Sequence, residues 1–202
     1  MDYRLWAKGL DASAAFHGLT LRLLTYLLAL EKNGGDLGTR KLRPAAAFCV
    51  QLLRSLRDQN PDDAPGPDDP RFHLLNKPRG IFDLRVAGML DKNLNTGHSQ
   101  VVQLHIKKDG GVGHAEHSDA VRDEQLAALL AHVENRLGES ADGILAGKIA
   151  IRPYRLGKCT ACAACEFRDV CRFQPRPRAY DDLPAMSREE MLQRVLEKGE
   201  HT

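Results

Sequence analysis

The 202-residue sequence contains no apolar run approaching the roughly 20 residues that cross a bilayer, which excludes a helical transmembrane protein. Met1-Asp2-Tyr3-Arg4 is not a basic stretch leading into an apolar one, so it does not read as a secretory signal. No Gly-x4-Gly-Lys-[Ser/Thr] sequence occurs, so ATP hydrolysis is not expected from this chain. Internal repeats and low-complexity tracts are absent as well. Excess charge is small, at +2, and this neither demands nor forbids nucleic acid, because a basic groove can exist inside a near-neutral total. What remains is ordinary globular composition, 43% hydrophobic and 28% charged, with enough chain for one sizeable core.

The five cysteines are distributed unevenly. Cys159, Cys162, Cys165 and Cys171 fall within thirteen residues, while Cys49 stands alone in an apolar stretch and reads as a buried thiol. Without a secretory signal, such a cluster reads as metal binding in a reducing, cytoplasmic compartment rather than as a disulfide framework. The spacing C-x2-C-x2-C-x5-C lets neighbouring thiolates face one centre from a tight turn. Four thiolates suffice for tetrahedral zinc or for the four irons of a cubane. A zinc ribbon splits into two CxxC pairs a dozen or more residues apart. The compact run is therefore closer to a ferredoxin-type iron–sulfur segment, with zinc and a set of reduced structural thiols as the alternatives.

Hydrophobic spacing organises the rest. Phe16, Leu19, Leu23, Tyr26, Leu27 and Leu30 predict a helix over 11–32, ended by Gly34-Gly35. Residues 44–53 read as a buried strand, with a short helix as the alternative. Residues 60–70 hold four prolines and Asp62, Asp63, Asp68 and Asp69, and read as a surface loop, not a cation site. The segment 78–83 leads from that loop into a short ordered element. Residues 101–106 alternate like a strand, and 107–111 carry hairpin-turn chemistry. Leu126, Leu129, Leu130, Val133, Leu137, Ile144 and Leu145 mark one face of a long helix over 123–147, with an irregularity near Gly138 or Gly143. A last amphipathic helix, 187–198, opens with a capping box at Ser187 and Glu190. His114 and His117 read as exposed polar loop residues rather than metal ligands. Lys107, Lys108, Arg172, Arg176 and Arg178 read equally well as solvated surface charge or as the lining of a DNA path.

Arg-Pro-Tyr-Arg-Leu-Gly, followed by Cys162-x2-Cys165-x5-Cys171-Arg-Phe, closely resembles the C-terminal end of the B subunit of AddAB-type helicase-nucleases. In that family a PD-(D/E)XK nuclease domain of the RecB type is fastened by a 4Fe-4S cluster. The resemblance extends upstream. Asp2-Tyr3-Arg4 sits where the family has Asp-Tyr-Lys, and His17-Gly-Leu-Thr-Leu-Arg-Leu-Leu-Thr-Tyr26 sits where it has Gly-Leu-x-Leu-Gln-Leu-Leu-x-Tyr. Pro44-Ala-Ala-Ala-Phe48 matches the following strand, and the likeness runs to about Tyr180.

The resemblance implies an α/β fold: a partial restriction-endonuclease-like core with a mixed sheet, flanking helices and a C-terminal iron–sulfur segment. It divides the chain into 1–156 (nuclease-like), 157–180 (cluster segment) and 181–202 (tail helix). It implies Cys162, Cys165 and Cys171 as cluster ligands and Cys159 as an extra thiol able to supply the fourth. Asp2 is implied as the Mg²⁺-binding carboxylate of the active site and Tyr26 as the retained signature tyrosine. Arg4 replaces the lysine that positions or activates water, and Arg22 replaces the signature glutamine. Arginine stays protonated and serves as a phosphate contact, not as a base. The earlier acidic residues and the distant fourth cluster ligand are expected upstream of Met1, so the chain reads as the tail of a longer subunit or as a remnant without catalysis.

The implied function is DNA-end processing in recombinational double-strand-break repair, with DNA and the helicase-nuclease A subunit as partners and cleavage impaired in this chain alone. A non-catalytic DNA-binding or assembly module, stabilised by the cluster or by zinc, is the alternative.

Overall fold

The computed structural model describes residues 2–4, 9–38, 42–51, 77–114, 117–176 and 179–199. The elements begin with β1 (Asp2–Arg4), α1 (Ala12–Phe16), α2 (Arg22–Asn33), β2 (Ala46–Gln51), β3 (Arg79–Asp83) and α3 (Ala87–Leu90). Short strands follow: β4 (Gly97–His98), β5 (His105–Ile106), β6 (Val112–Gly113) and β7 (Ala120–Val121). Next come α4 (Asp123–Leu145), β8 (Tyr154–Leu156), β9 (Cys159–Thr160), α5 (Arg168–Cys171), β10 (Asp181–Leu183) and α6 (Arg188–Gly199). The central sheet is mixed, in the order β1-β2-β3-β7, with β1 parallel to β2, β2 antiparallel to β3, and β3 parallel to β7. The α/β class and the mixed sheet with flanking helices are as expected.

Neighbouring residues on a strand face opposite sides of a sheet, and β3 uses this to serve two cores. Ile81 is buried among Ala15, Leu24, Leu27, Leu129, Leu130, Val133 and Met191, the inner faces of α1, α2, α4 and α6. Phe82 faces the other way, into a smaller core with Ala87, Val102 and Leu104. Burial of each such side chain is worth about 1.5–3 kcal/mol, so β3 is the strand on which both layers depend. The segment 78–83 is thus an interior strand. Gly80 permits its close approach to β2: a Cβ there would lie 2.1 Å from the carbonyl oxygen of Ala47.

Several local expectations require correction. The helix expected over 11–32 is two helices. Asp11 caps α1 by accepting from the Ala14 N–H at 2.9 Å, and Gly18, at φ +82°, turns the chain out of it before α2 begins. Gly34-Gly35 ends α2 as expected, with Gly34 at its C-cap, and one 3₁₀ turn follows through Gly34–Leu37.

In 101–106 only His105–Ile106 pair as a strand. The Ser99 hydroxyl accepts from the N–H groups of Val101 and Val102, at 3.1 Å each, and this local alternative displaces a ladder. The hairpin turn at 107–111 is present, with the Lys107 N–H donating to Gly111 O at 2.8 Å and Gly110 at φ +80°.

Helix α4 runs unbroken through Gly138 and Gly143, since a helical glycine costs only about 1 kcal/mol. Its buried stripe ends at Val133, however, and Leu137, Ile144 and Leu145 are exposed. Residues 44–51 form the expected strand from Ala46 onward. Ser187 Oγ accepts from the Glu190 N–H at 3.1 Å at the start of α6, as its motif implies. The loop 60–70, with its four aspartates, and Arg178 lie outside the described residues.

Candidate functional site

At one edge of the central sheet, β1 pairs with β2 so that Asp2 lies beside Cys49 and Arg4 beside Gln51. Strand periodicity puts positions 2 and 4 on one face. The apolar residues Leu23, Leu24, Leu27 and Leu28 are buried and hold α2 against the core, where it packs on β2 and α4. That leaves Arg22 and Tyr26, one helical turn apart, on the outward side, with Tyr26 52% exposed. The strand bearing Asp2 and Arg4 and the helix bearing Arg22 and Tyr26 are therefore both neighbours of β2. Cys49 is buried in β2, as its apolar setting implies.

The buried carboxylates described on and beside the sheet are engaged by other side chains and backbone N–H groups. Asp119, 1% exposed, accepts from Arg79 Nε at 3.0 Å, from Arg79 Nη2 at 3.3 Å and from the Gly80 N–H at 2.9 Å. Asp83 is held by the Arg85 backbone N–H at 2.9 Å and by the Arg85 guanidinium, which also bridges to Asp123. Burial alone would push the Asp83 carboxyl up. The hydrogen bonds and charge of Arg85, with the charge of Arg43, hold it below the usual carboxylate range. Asp91, just after α3, is likewise held low, first by the Ser99 hydroxyl at 2.7 Å against the opposing effect of burial, then by the N–H groups of Asn93 and Gln100. These carboxylates are structural. Among the described residues no group of three or more His, Cys, Asp or Glu side chains is set to hold a metal ion.

The cysteine segment has its own small scaffold. Strand β8 pairs with β9 across the Gly157-Lys158 turn, and β10 returns parallel to β8. Gly157 takes φ +58° at the turn. A 3₁₀ turn at Ala161–Ala164 and the short helix α5 then fold the thiols together, with Arg172 closing α5 in the left-handed region at φ 52°. Cys162, Cys165 and Cys171 line one cavity of about 80 Å³ with Arg168, Phe173, Pro175 and Tyr180. Phe173 meets Tyr180 edge to face at 5.1 Å, and the Arg155 guanidinium covers the Tyr180 ring at 5.0 Å while pairing with Asp182. Cys159, exposed on β9, does not line this cavity.

A single zinc requires its sulfurs to converge at about 2.3 Å from one point, whereas a cubane carries one thiolate per corner iron and spreads them. The shared cavity is common to both assignments. Arg172 and Arg176 beyond the segment, and Lys107 and Lys108 at the hairpin tip, are exposed.

The Arg79–Asp119–Arg188 group, and the reach of Arg85 from its near neighbour Asp83 to Asp123 on α4, are not legible in the sequence, because no spacing rule connects residues so far apart in the chain. No described helix is long and apolar enough to cross a membrane.

The PD-(D/E)XK nuclease superfamily model matches residues 7–172, a span that begins just after Arg4 and ends just past Cys171. The chain is 33% identical over 206 residues to the ATP-dependent helicase/deoxyribonuclease B subunit of Symbiobacterium thermophilum, covering 98% of this chain and 17% of that protein. It is 31% identical over 195 residues to the protein of the same name from Desulforudis audaxviator, covering 95% and 16%, and 29% identical over 176 residues to that of Bacillus subtilis, covering 86% and 15%. The chain thus spans about a sixth of the length of these relatives. With the family model matched across most of the mixed sheet, its helices and the cysteine segment, the chain belongs to the PD-(D/E)XK nuclease superfamily and is similar to a segment of helicase/deoxyribonuclease B subunits.

Proposed function

We propose that the chain acts on DNA ends in recombinational double-strand-break repair, as the nuclease-domain part of a helicase-nuclease B subunit working with an ATP-driven A subunit. The observation that carries this reading is the parallel β1–β2 edge, with Asp2-x-Arg4 on β1 and Arg22-x3-Tyr26 on α2, two elements that both neighbour β2. In the proposed site Asp2 is the metal-facing carboxylate, Arg4 and Arg22 contact phosphate, and Tyr26 lies along the strand path.

Magnesium needs near-octahedral oxygen ligation. Asp83 and Asp119 are taken by arginines, so the described residues do not complete such a site, and no hydrolytic step is assigned to them. DNA binding is accordingly the stronger part of the reading, with cleavage weak in this chain alone.

The same reading assigns a 4Fe-4S cluster to Cys162, Cys165 and Cys171, supported by the cavity that these three thiols share. The bound cluster would supply cross-links to a loop-rich segment that has little apolar burial of its own. Cys159 is the nearest thiol in sequence for a fourth ligand, although it lies off the cavity. A zinc-stabilised module is the competing assignment.

Two experiments test these proposals. Anaerobically purified chain is analysed for iron, sulfide and zinc beside Cys165→Ala. About four irons with broad absorption near roughly 400 nm support the cluster, and one zinc in a colourless protein replaces it. Binding and Mg²⁺-dependent cleavage of end-labelled duplex DNA are then compared for the wild type, Asp2→Asn and Arg4→Lys. Salt-sensitive binding, with cleavage that rises in Arg4→Lys, supports the reading, and absence of DNA binding overturns it.

A further inference from the structure

Histidines converge on the β4–β5–β6 meander, away from both the β1–β2 edge and the thiol cavity. His98 on β4 is the register partner of His105 on β5, and His105 is in turn the partner of Gly113 on β6, next to His114. Directly paired antiparallel residues carry their side chains on one face. The His98 and His105 rings accordingly lie with centroids 4.5 Å apart. The His114 ring joins them, 5.3 Å from His105 and 6.5 Å from His98. His114 takes a left-handed backbone, φ 50°, unusual for a non-glycine residue. Gly113 makes the packing possible, since a Cβ there would fall 2.0 Å from His105 Nδ1. Together with His117 the three rings line a cavity of about 370 Å³.

Two further observations separate this group from ordinary surface histidines. Among the described residues the cavity lining carries no carboxylate; besides the histidines it consists of Gln103, Leu104, Gly113 and Ser118. His105 Nδ1 is buried and has no hydrogen-bond partner among the described residues.

The ring spacing is informative in itself. A zinc–imidazole bond of about 2.0–2.1 Å puts the ring centroid about 3 Å from the metal, and tetrahedral angles then space the centroids about 5 Å apart. The three observed separations bracket that value. The donor nitrogens are not yet converged on one point, so closure requires rotation about the side-chain torsions of rings already at the right spacing.

We propose that His98, His105 and His114, with His117 at the rim, form a binding site for a borderline-soft divalent transition-metal ion such as zinc. Imidazole nitrogen is the ligand type that favours such ions over magnesium or calcium. An ion held there would staple three two-residue strands that have few backbone hydrogen bonds of their own, and so fix the hairpin that presents Lys107 and Lys108.

The test is a zinc chloride titration of chelator-treated 202-residue chain at neutral pH, read by long-range proton–nitrogen spectra of the imidazole rings. Expected are concerted shifts of the His98, His105 and His114 ring nitrogens that saturate at one equivalent, with the His132 ring unmoved. His98→Gln and His114→Gln, both at exposed positions, should keep the wild-type circular dichroism. Each should weaken zinc binding at these rings by more than the roughly 10–100-fold that loss of a supporting partner costs. Zinc that perturbs only the cysteine segment overturns the proposal. So does an affinity at these rings that is unchanged in both variants.

Discussion

Arg188, in the first turn of α6, donates from Nη2 to the backbone carbonyl oxygen of Asp119 at 2.9 Å and sets Nη1 3.6 Å from the Asp119 carboxylate. The last helix is thereby locked to the strand that carries Ala120 and Val121. Burial pushes the Arg188 guanidinium down in pKa, opposed by the Asp119 charge and reinforced by that of Arg79. Breaking a buried pair on one side leaves an uncompensated charge, at a cost of about 3–5 kcal/mol. Asp119→Ala is therefore expected to destabilise the chain by about that amount in urea denaturation. Arg188→Ala should cost less, because Arg79 and the Gly80 N–H remain on the carboxylate. Equal midpoints for Asp119→Ala and the wild type would show that the pair is not a structural lock.

The β2–β3 contact makes a second prediction. A methyl group at position 80 meets Ala47 backbone, which cannot rotate away. Gly80→Ala should cost at least the about 1–3 kcal/mol typical of overpacking, read as a lowered denaturation midpoint. Gly138→Ala on exposed α4 should instead stabilise by about 0.5–1 kcal/mol, since nothing lies near its added methyl.

Stability should also fall in mild acid. His132 is buried against Phe16, with ring centroids 4.8 Å apart and Nε2 2.8 Å from the Phe16 carbonyl oxygen. Burial pushes its imidazole down in pKa, against the raising effect of the Phe16 carbonyl; Lys198 and Arg136 lower it further and Glu139 raises it. The native state then binds fewer protons than the unfolded chain. The contribution of the neutral ring is fully present above the unfolded value of about 6.5, and it is lost as pH falls from there toward the folded value. His105 shares the sign. Denaturation midpoints should therefore drop between about pH 7.5 and pH 5.5, and the drop should be smaller in His132→Gln, whose amide can still donate to Phe16. Identical pH slopes would exclude His132 as a contributor.

The thiols are expected to divide three against one. Cys162→Ala, Cys165→Ala and Cys171→Ala should each lower bound metal, iron in the cluster reading, to near background and loosen the 157–180 segment in hydrogen exchange. Cys159→Ala should lose less, because its thiol lies off the shared cavity. Equal loss in all four variants would bring Cys159 into the ligand set.

Local pattern carried much of this protein's description. The helical spacing of 123–145, the cap at Ser187 and the turn at 107–111 follow from short-range chemistry that a sequence displays directly. The cysteine spacing likewise brings Cys162, Cys165 and Cys171 to one cavity, because thiols with two and five residues between them are tied together by covalent geometry. The local readings that failed did so where a single residue redirected the backbone: Gly18 divided one helix into two, and the Ser99 hydroxyl captured N–H groups that a longer strand would have used.

Only the tertiary structure decided which distant side chains meet. It joined Arg79, Asp119 and Arg188 across two strands and a helix, and it gathered His98, His105 and His114 on a meander of two-residue strands. It also placed Cys159 on β9, off the cavity that the other three thiols line. Periodicity records which face of an element is apolar, and so predicts that the element will be buried. The partner that buries it, and the polar groups brought along, depend on strand order, register and the direction of each turn. Those are properties of the assembled chain and leave no spacing signal in any one segment.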